Sequence, residues 1–204
     1  MEFEKTTRER ILIAGKREFL EKGFRAASLR HIVKLANVTT GAFYGYFENK
    51  EALFCALVDN AAKKLTSVFQ KTLEAFEQLP PNDQKNHMVE IAGQCMDWMV
   101  DYVYEQFDSF KLIVCCAEGT QYEQYIHNLV ELEIEATHRF TTVLRGLGKH
   151  TREIDPQLEH ILVSGFFPSF FEMVAHDMPQ EQAVEYIREL RAFYTAGWRE
   201  MLGF

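Results

Sequence analysis

Apolar residues recur along this chain at intervals of three and four almost without interruption, and no run alternates at period two with β-branched residues. That spacing returns a side chain to the same face of a helix, whereas a strand would send it to alternating faces, so helices are the expected building blocks. The fold class is therefore all-α. Glycine and proline fall between the periodic segments and act as punctuation. A first helix is expected from Thr6 or Thr7 to Lys22, stopped by Gly23. Ser28 caps a short second helix that Asn37 ends, and Thr39 caps a third of two turns that Tyr46 and Phe47 close. Glu48-Asn49-Lys50-Glu51 opens a fourth helix reaching about Gln78, where Pro80-Pro81 breaks it. Beyond the prolines the periodicity predicts helices over about 83–105, 107–117, 120–147, 155–176 and 180–202.

Composition enters where it excludes classes. With 47% hydrophobic residues and 17 Phe, the 204-residue chain has ample material for a core, and its four cysteines form no C-x-x-C pair that would suggest a zinc site or a disulfide framework. The longest nearly unbroken apolar stretch, Ile161 to Phe171, is shorter than a membrane span requires, and the N-terminus is charged where a signal peptide is apolar; a cytoplasmic location is expected. The net charge of −8 is unevenly spread. Residues 1–50 hold ten Lys/Arg and six Asp/Glu, and the rest hold twelve and twenty-four. A small basic head, residues 1–50, thus precedes a large acidic body, residues 51–204, as expected when a DNA-contacting module is joined to one that does not touch DNA. Solvated lysines and arginines on a helix would give the same asymmetry.

Residues 27–47 read as helix, short turn, helix, which is the helix-turn-helix arrangement. Its second helix offers Thr39, Thr40, Gly41, Ala42 and Tyr44, residues small or flat enough to approach a major groove. Around it stand Ile11-Leu12, Ala14, Phe19, Gly23-Phe24, Val38-Thr39 and the stretch Tyr44-Gly45-Tyr46-Phe47-Glu48-Asn49-Lys50-Glu51-Ala52-Leu53. Together these resemble the DNA-binding domain of the TetR family of transcriptional regulators over about the first 55 residues. The chain departs from the family's usual pattern at Asn37 (usually Gly), Phe43 (Leu), Gly45 (His) and Glu18 (apolar). The resemblance implies that Thr39, Thr40, Gly41, Tyr44 and Tyr46 lie at the groove and that Ser28, Arg30 and Lys50 hold phosphates. Lys50 also stands in the first turn of the fourth helix, where an anion is favoured independently.

The same resemblance implies a homodimer on a palindromic operator, pairing through the last two helices, with Ile161, Leu162, Phe166 and Phe170 on one and Ile187, Leu190, Tyr194 and Trp198 on the other. It also implies an effector pocket in the body, for which Met96, Trp98, Met99, Tyr102 and Phe110 are candidates, with Tyr122, Phe140, Phe167 and Phe171. Glu118, with Asp97, Asp101 and Glu172, would be the carboxylates selecting a lipophilic cation, unless they are simply solvated. His127, Glu131, Glu135 and His138 share one helix face as metal ligands would, but the opposite face is apolar, so a solvent-facing stripe explains them better. Cys115-Cys116 are read as buried packing rather than oxidant sensors. No cofactor is expected. The function implied is a ligand-responsive transcriptional regulator, a repressor released from DNA by a small apolar or amphipathic effector. The rivals are a regulator governed by a protein partner and a helical enzyme, and no nucleophile–base pair, phosphate loop or metal cluster in the sequence favours the latter.

Overall fold

The computed structural model describes residues 6–148 and 154–202, which form nine α-helices and no strand. In order they are α1 (Thr7–Ala26), α2 (Leu29–Leu35), α3 (Thr40–Tyr44), α4 (Lys50–Glu77), α5 (Pro81–Glu105), α6 (Phe107–Cys116), α7 (Tyr125–Gly146), α8 (Pro156–Ala175) and α9 (Gln180–Leu202). The all-α reading of the periodicity holds. So do most of the punctuation marks, for identifiable reasons. Thr6 and Glu9 form a capping box that satisfies the first amides of α1, and Gly23, at φ 72°, breaks that helix as its sequence position suggested. Pro81 begins α5 instead of merely ending α4, because a proline at the first helical position lacks only an amide that would be unsatisfied anyway.

Residues 120–124 depart from expectation: they form turns, so α7 starts at Tyr125 instead of near 120. Thr120 Oγ1 donates to Ala117 O at 2.7 Å and accepts from Tyr122 N at 3.1 Å, and these local bonds replace a helical ladder. Helix α8 runs through Pro168, which is exposed. That helix is long and apolar enough to cross a membrane by composition, a property the shorter run 161–171 did not suggest. Its Phe166, Phe167, Phe170 and Phe171 are instead buried against protein.

Packing divides the chain into two units, one joining the chain up to Lys63 with Gln106–Tyr125, the other joining Lys64–Glu105 with the chain from Ile126 onward. Packing places the first half of α4, α6 and the turn after it with the head, which was expected to end at residue 50. In this first unit Ile11, Phe19, Ile32, Phe43, Leu53 and Phe54 are completely buried. Gly15 lets α1 and α4 come together, since a Cβ there would lie 2.6 Å from Leu53 Cδ2. Helix α6 lies along α1, with Lys16 bonded to Asp108 at 2.5 Å and Arg25 paired with Glu118. In the second unit α8 contributes the buried phenylalanines, and α9 approaches it closely at Gly165, where a Cβ would meet Tyr194 Oη at 2.7 Å.

Candidate functional site

The short helix α3 is presented by a turn whose geometry is fixed at Asn37. Its φ of 52° lies in the left-handed region, Asn37 N donates to Lys34 O at 3.1 Å, and Val38 N donates to Val33 O at 3.0 Å. This pair of bonds is the Schellman closure of a helix, and asparagine tolerates the required φ better than any residue except glycine. Arg10 adds a clasp from α1, donating from Nη1 to Asn37 O at 3.3 Å. Thr39 then caps α3 by accepting from Ala42 N at 3.1 Å. Phe43 is fully buried and pins α3 to the core, while Thr39, Thr40, Gly41, Tyr44 and Tyr46 are exposed. Tyr44 and Tyr46 keep 54% and 51% of their surface, which makes their rings available to a partner. Ser28 and Arg30 are exposed at the start of α2.

Lys50, expected to meet a phosphate, has contacts within the chain itself. Its Nζ donates to Phe24 O at 2.6 Å, Ala27 O at 3.0 Å and Arg25 O at 3.4 Å, and it lies 4.4 Å from the centre of the Phe24 ring. The ammonium group is thus committed to carbonyls at the end of α1, one of which, Phe24 O, also accepts from Ala27 N at 3.3 Å. Burial pushes its pKa down from the ordinary lysine value. The first turn of α4 has its own cap as well, Asn49 Oδ1 accepting from Ala52 N at 2.7 Å.

Beneath α2 lies Glu18, completely buried although charged. One carboxylate oxygen accepts from Ser28 N at 3.0 Å and from Lys22 Nζ at 3.0 Å, and the other meets His31 Nδ1 at 2.5 Å. Burial alone would raise its pKa, but the bonds from Ser28, His31 and Lys22 outweigh that and hold it at about 2. Position 18 therefore fixes the entry of α2 to α1, a role that its departure from the apolar pattern signalled without specifying.

The second unit contains a cavity of about 170 Å³, lined by side chains of α4, α5, α7, α8 and α9 and partly open to solvent. Met96, Met99, Phe140 and Phe167, four of the effector-pocket candidates, line it. The other candidates do not. Phe110 and Tyr122 belong to the first unit, where Phe110 is core and Tyr122 donates its hydroxyl to Asp59. Trp98 and Tyr102 stack on each other at 5.0 Å, with Lys64 over the Tyr102 ring, and Phe171 is packed in the core. Glu118, Asp97, Asp101 and Glu172 are all exposed, so none is the cavity's carboxylate. That carboxylate is Glu133, which the sequence reading missed. Its signal was visible: it falls on the apolar stripe of α7, four residues after Leu129 and three before Ala136.

Several residues expected at a dimer interface face inward. Phe166, Phe170 and Ile187 are buried, and Phe166, Tyr194 and Trp198 line the cavity. Ile161, at 63% exposure, remains open with partly buried Leu162 and Leu190. Leu158 at 44% and Phe193 at 74%, not singled out from sequence, are also exposed. The polar face of α7 is used in pairs: His127 with Glu131, Glu135 with Arg139, and His138 with Glu159. Cys116 is buried, with its thiol pushed up to about 11 by that burial, whereas Cys115 is exposed, contrary to the packing role expected of both.

The family model described as bacterial regulatory proteins, tetR family, matches residues 11–57, the span that carries this turn and its buttresses. Over 198 residues, 97% of this chain and 91% of the relative, the chain is 27% identical to the HTH-type transcriptional regulator UidR of Escherichia coli K12. It is 39% identical over 56 residues, 28% of each chain, to the HTH-type transcriptional repressor NemR of the same organism. In fold it is similar to the TetR-family regulator PfmR of Thermus thermophilus, with a TM-score of 0.55 and 20% identity across 91% of this chain and 95% of that one. The helix-turn-helix of residues 11–57 is thus built to the pattern of the tetR family of bacterial regulatory proteins, and the chain is similar over nearly its whole length to a transcriptional regulator that carries it.

Proposed function

We propose that the protein is an effector-controlled repressor that binds a palindromic operator as a homodimer in the cytoplasm. The observation that carries this reading is the coexistence, in one chain, of an exposed α3 face on a hydrogen-bonded turn and a largely apolar cavity lined by five helices of the other unit. Thr40, Gly41 and Tyr44 would meet base edges, with Thr39 and Tyr46 beside them, and Ser28 and Arg30 would meet phosphate. A helix of five residues makes too few base contacts to specify a site, so a second copy on an adjacent half-site is needed. The exposed apolar residues of the last two helices, Leu158 and Ile161 on α8 and Phe193 on α9, with partly buried Leu162, are the surface best suited to hold that copy.

Control follows from connectivity. The chain passes from one unit to the other within α4 after Lys63, between Glu105 and Gln106, and between Tyr125 and Ile126. An effector that prefers one arrangement of the cavity helices would act on the head through these crossings, changing the separation of the two recognition helices in the dimer. A few kcal/mol of differential affinity suffices. The test is fluorescence anisotropy with a labelled duplex from the region upstream of the protein's own gene, unlabelled random DNA as competitor and salt varied. Saturation at two chains per duplex with affinity that survives competitor is the expected result. Binding no tighter than to random DNA, both there and after selection from a random library, would reject the reading.

A further inference from the structure

Glu133 projects from α7 into a cavity whose other walls are almost wholly apolar, including the rings of Phe76, Phe140, Phe167 and Trp198. No hydrogen bond or ion pair engages its carboxylate among the described residues. The cavity's one cationic wall residue, Arg191, is already committed: it donates from Nη1 to Asp97 Oδ1 at 3.1 Å and lies against Gly93, which leaves it room. Glu133 is partly buried, and a carboxylate in largely apolar surroundings is costly unless something pairs with it. The free protein therefore holds one unmatched negative group and no unmatched positive one on this cavity wall.

We propose that this cavity binds a small lipophilic organic cation, a single-ring amine or ammonium compound, whose charge pairs with Glu133 while its ring packs among the aromatic side chains. The proposal rests on the reading of the cavity as the effector site and adds the chemical class of the effector. At about 170 Å³ the cavity has room for one ring, since an engineered apolar cavity of ~150 Å³ holds benzene. The aromatic faces add attraction for the same charge. An anion would have to displace Asp97 from Arg191 and lie beside Glu133, and a neutral ring would leave Glu133 unmatched.

Desolvation supports this assignment, raising the Glu133 carboxyl to about 7. The other titratable or charged groups facing the cavity are Cys95 from α5 and Arg191 and Tyr194 from α9, and α4 and α8 contribute none. Burial raises the Cys95 thiol and the Tyr194 phenol, so both stay neutral near neutral pH. Between about pH 6 and pH 8 the group on this wall that changes is Glu133. Its ionisation must accompany cation binding, so affinity for a permanently protonated amine should rise roughly tenfold across that interval.

The experiment is isothermal titration calorimetry of the full chain with three ring compounds of matched size: 2-phenylethylammonium, 2-phenylethanol and 3-phenylpropanoate. At about pH 8 the cation should bind at least roughly tenfold more tightly than the alcohol, and the anion least. Glu133→Gln should weaken the cation at least roughly tenfold and leave the alcohol within about twofold. Equal affinity for cation and alcohol, tighter binding of the anion, no binding of the cation, or a cation affinity untouched by Glu133→Gln would each overturn the proposal. Should that variant fail to fold, as judged by circular dichroism, the wild-type chain decides alone: the cation-to-alcohol affinity ratio must rise roughly tenfold from about pH 6 to pH 8, and a flat ratio overturns the proposal. Operator release is read separately. A cation that binds through Glu133 yet leaves the duplex bound would uphold the site and remove the effector reading, whereas release by a neutral or anionic ring compound in this cavity would do the reverse.

Discussion

Glu18 shows how much a single side chain decides in the head. An apolar residue at this point of α1 would pack well, but it would leave the amide of Ser28 without the acceptor that now sets the entry to α2. The cost of burying the charge is offset by three donors, and the net result is a carboxyl held at about 2, below its ordinary value of 4.5. A depressed carboxylate contributes stability that is complete above the unfolded-state pKa and disappears as pH falls through the folded one. Wild-type protein should therefore lose on the order of 2 kcal/mol of head stability between about pH 5 and pH 2 from this group, and Glu18→Gln should lose a similar amount at about pH 7 while lacking that part of the acid dependence. Urea unfolding of both proteins at several pH values checks it, and parallel pH profiles would refute it. Residue 18 also marks a limit of sequence reading. Its polarity was plain, but the three donors that give it a role come from positions 22, 28 and 31, and only the fold brings the last two to it.

At the scale of elements, the ends of helices were the most legible features because they are governed by residues adjacent in sequence. Thr6, Ser28 and Thr39 cap as expected, and Asn37 adopts the left-handed conformation its side chain tolerates. Asn37→Ala should cost about 1 kcal/mol in thermal or urea unfolding, while Asn37→Gly should be neutral or slightly stabilising, since only the former pays the left-handed penalty. Lys50 illustrates what adjacency cannot reveal. Its position at the start of α4 argues for an anion, yet its three hydrogen bonds reach back across more than twenty residues to the end of α1. The two roles make opposite predictions. If Lys50 staples the helices, Lys50→Ala should lower the stability of the head by about 1–2 kcal/mol, the value of a partly buried charged hydrogen-bond set, and leave the salt slope of DNA binding unchanged. Arg30→Ala should do the converse, reducing the slope by about one with little change in melting. A flattened slope in Lys50→Ala would restore the phosphate role.

For the whole molecule, periodicity identifies which face of a helix is apolar but not what covers it. The same stripe on α8 and α9 serves the unit's own core through Phe166, Phe170 and Ile187, lines the cavity through Tyr194 and Trp198, and leaves Leu158, Ile161 and Phe193 exposed. Core, cavity and surface differ only in how the five helices of the second unit cross, so sequence could name the aromatic inventory but could not divide it, and it overlooked Glu133 because one charge scarcely alters the stripe. The exposed set makes a sharp prediction about assembly. Ile161→Glu combined with Phe193→Glu places two charges on surface that is already open in the single chain, at 63% and 74% exposure, so the fold should be retained. In a dimer the same charges would be buried without partners, at a cost of several kcal/mol. Sedimentation should then report single chains where the parent gives dimers, and operator affinity should fall by roughly 100-fold or more, because the second half-site is no longer tethered to the first. Non-specific binding, which each head supports alone through its phosphate contacts, should be weakened far less. Retention of the dimer with unchanged operator affinity would place the second copy on another surface of the chain.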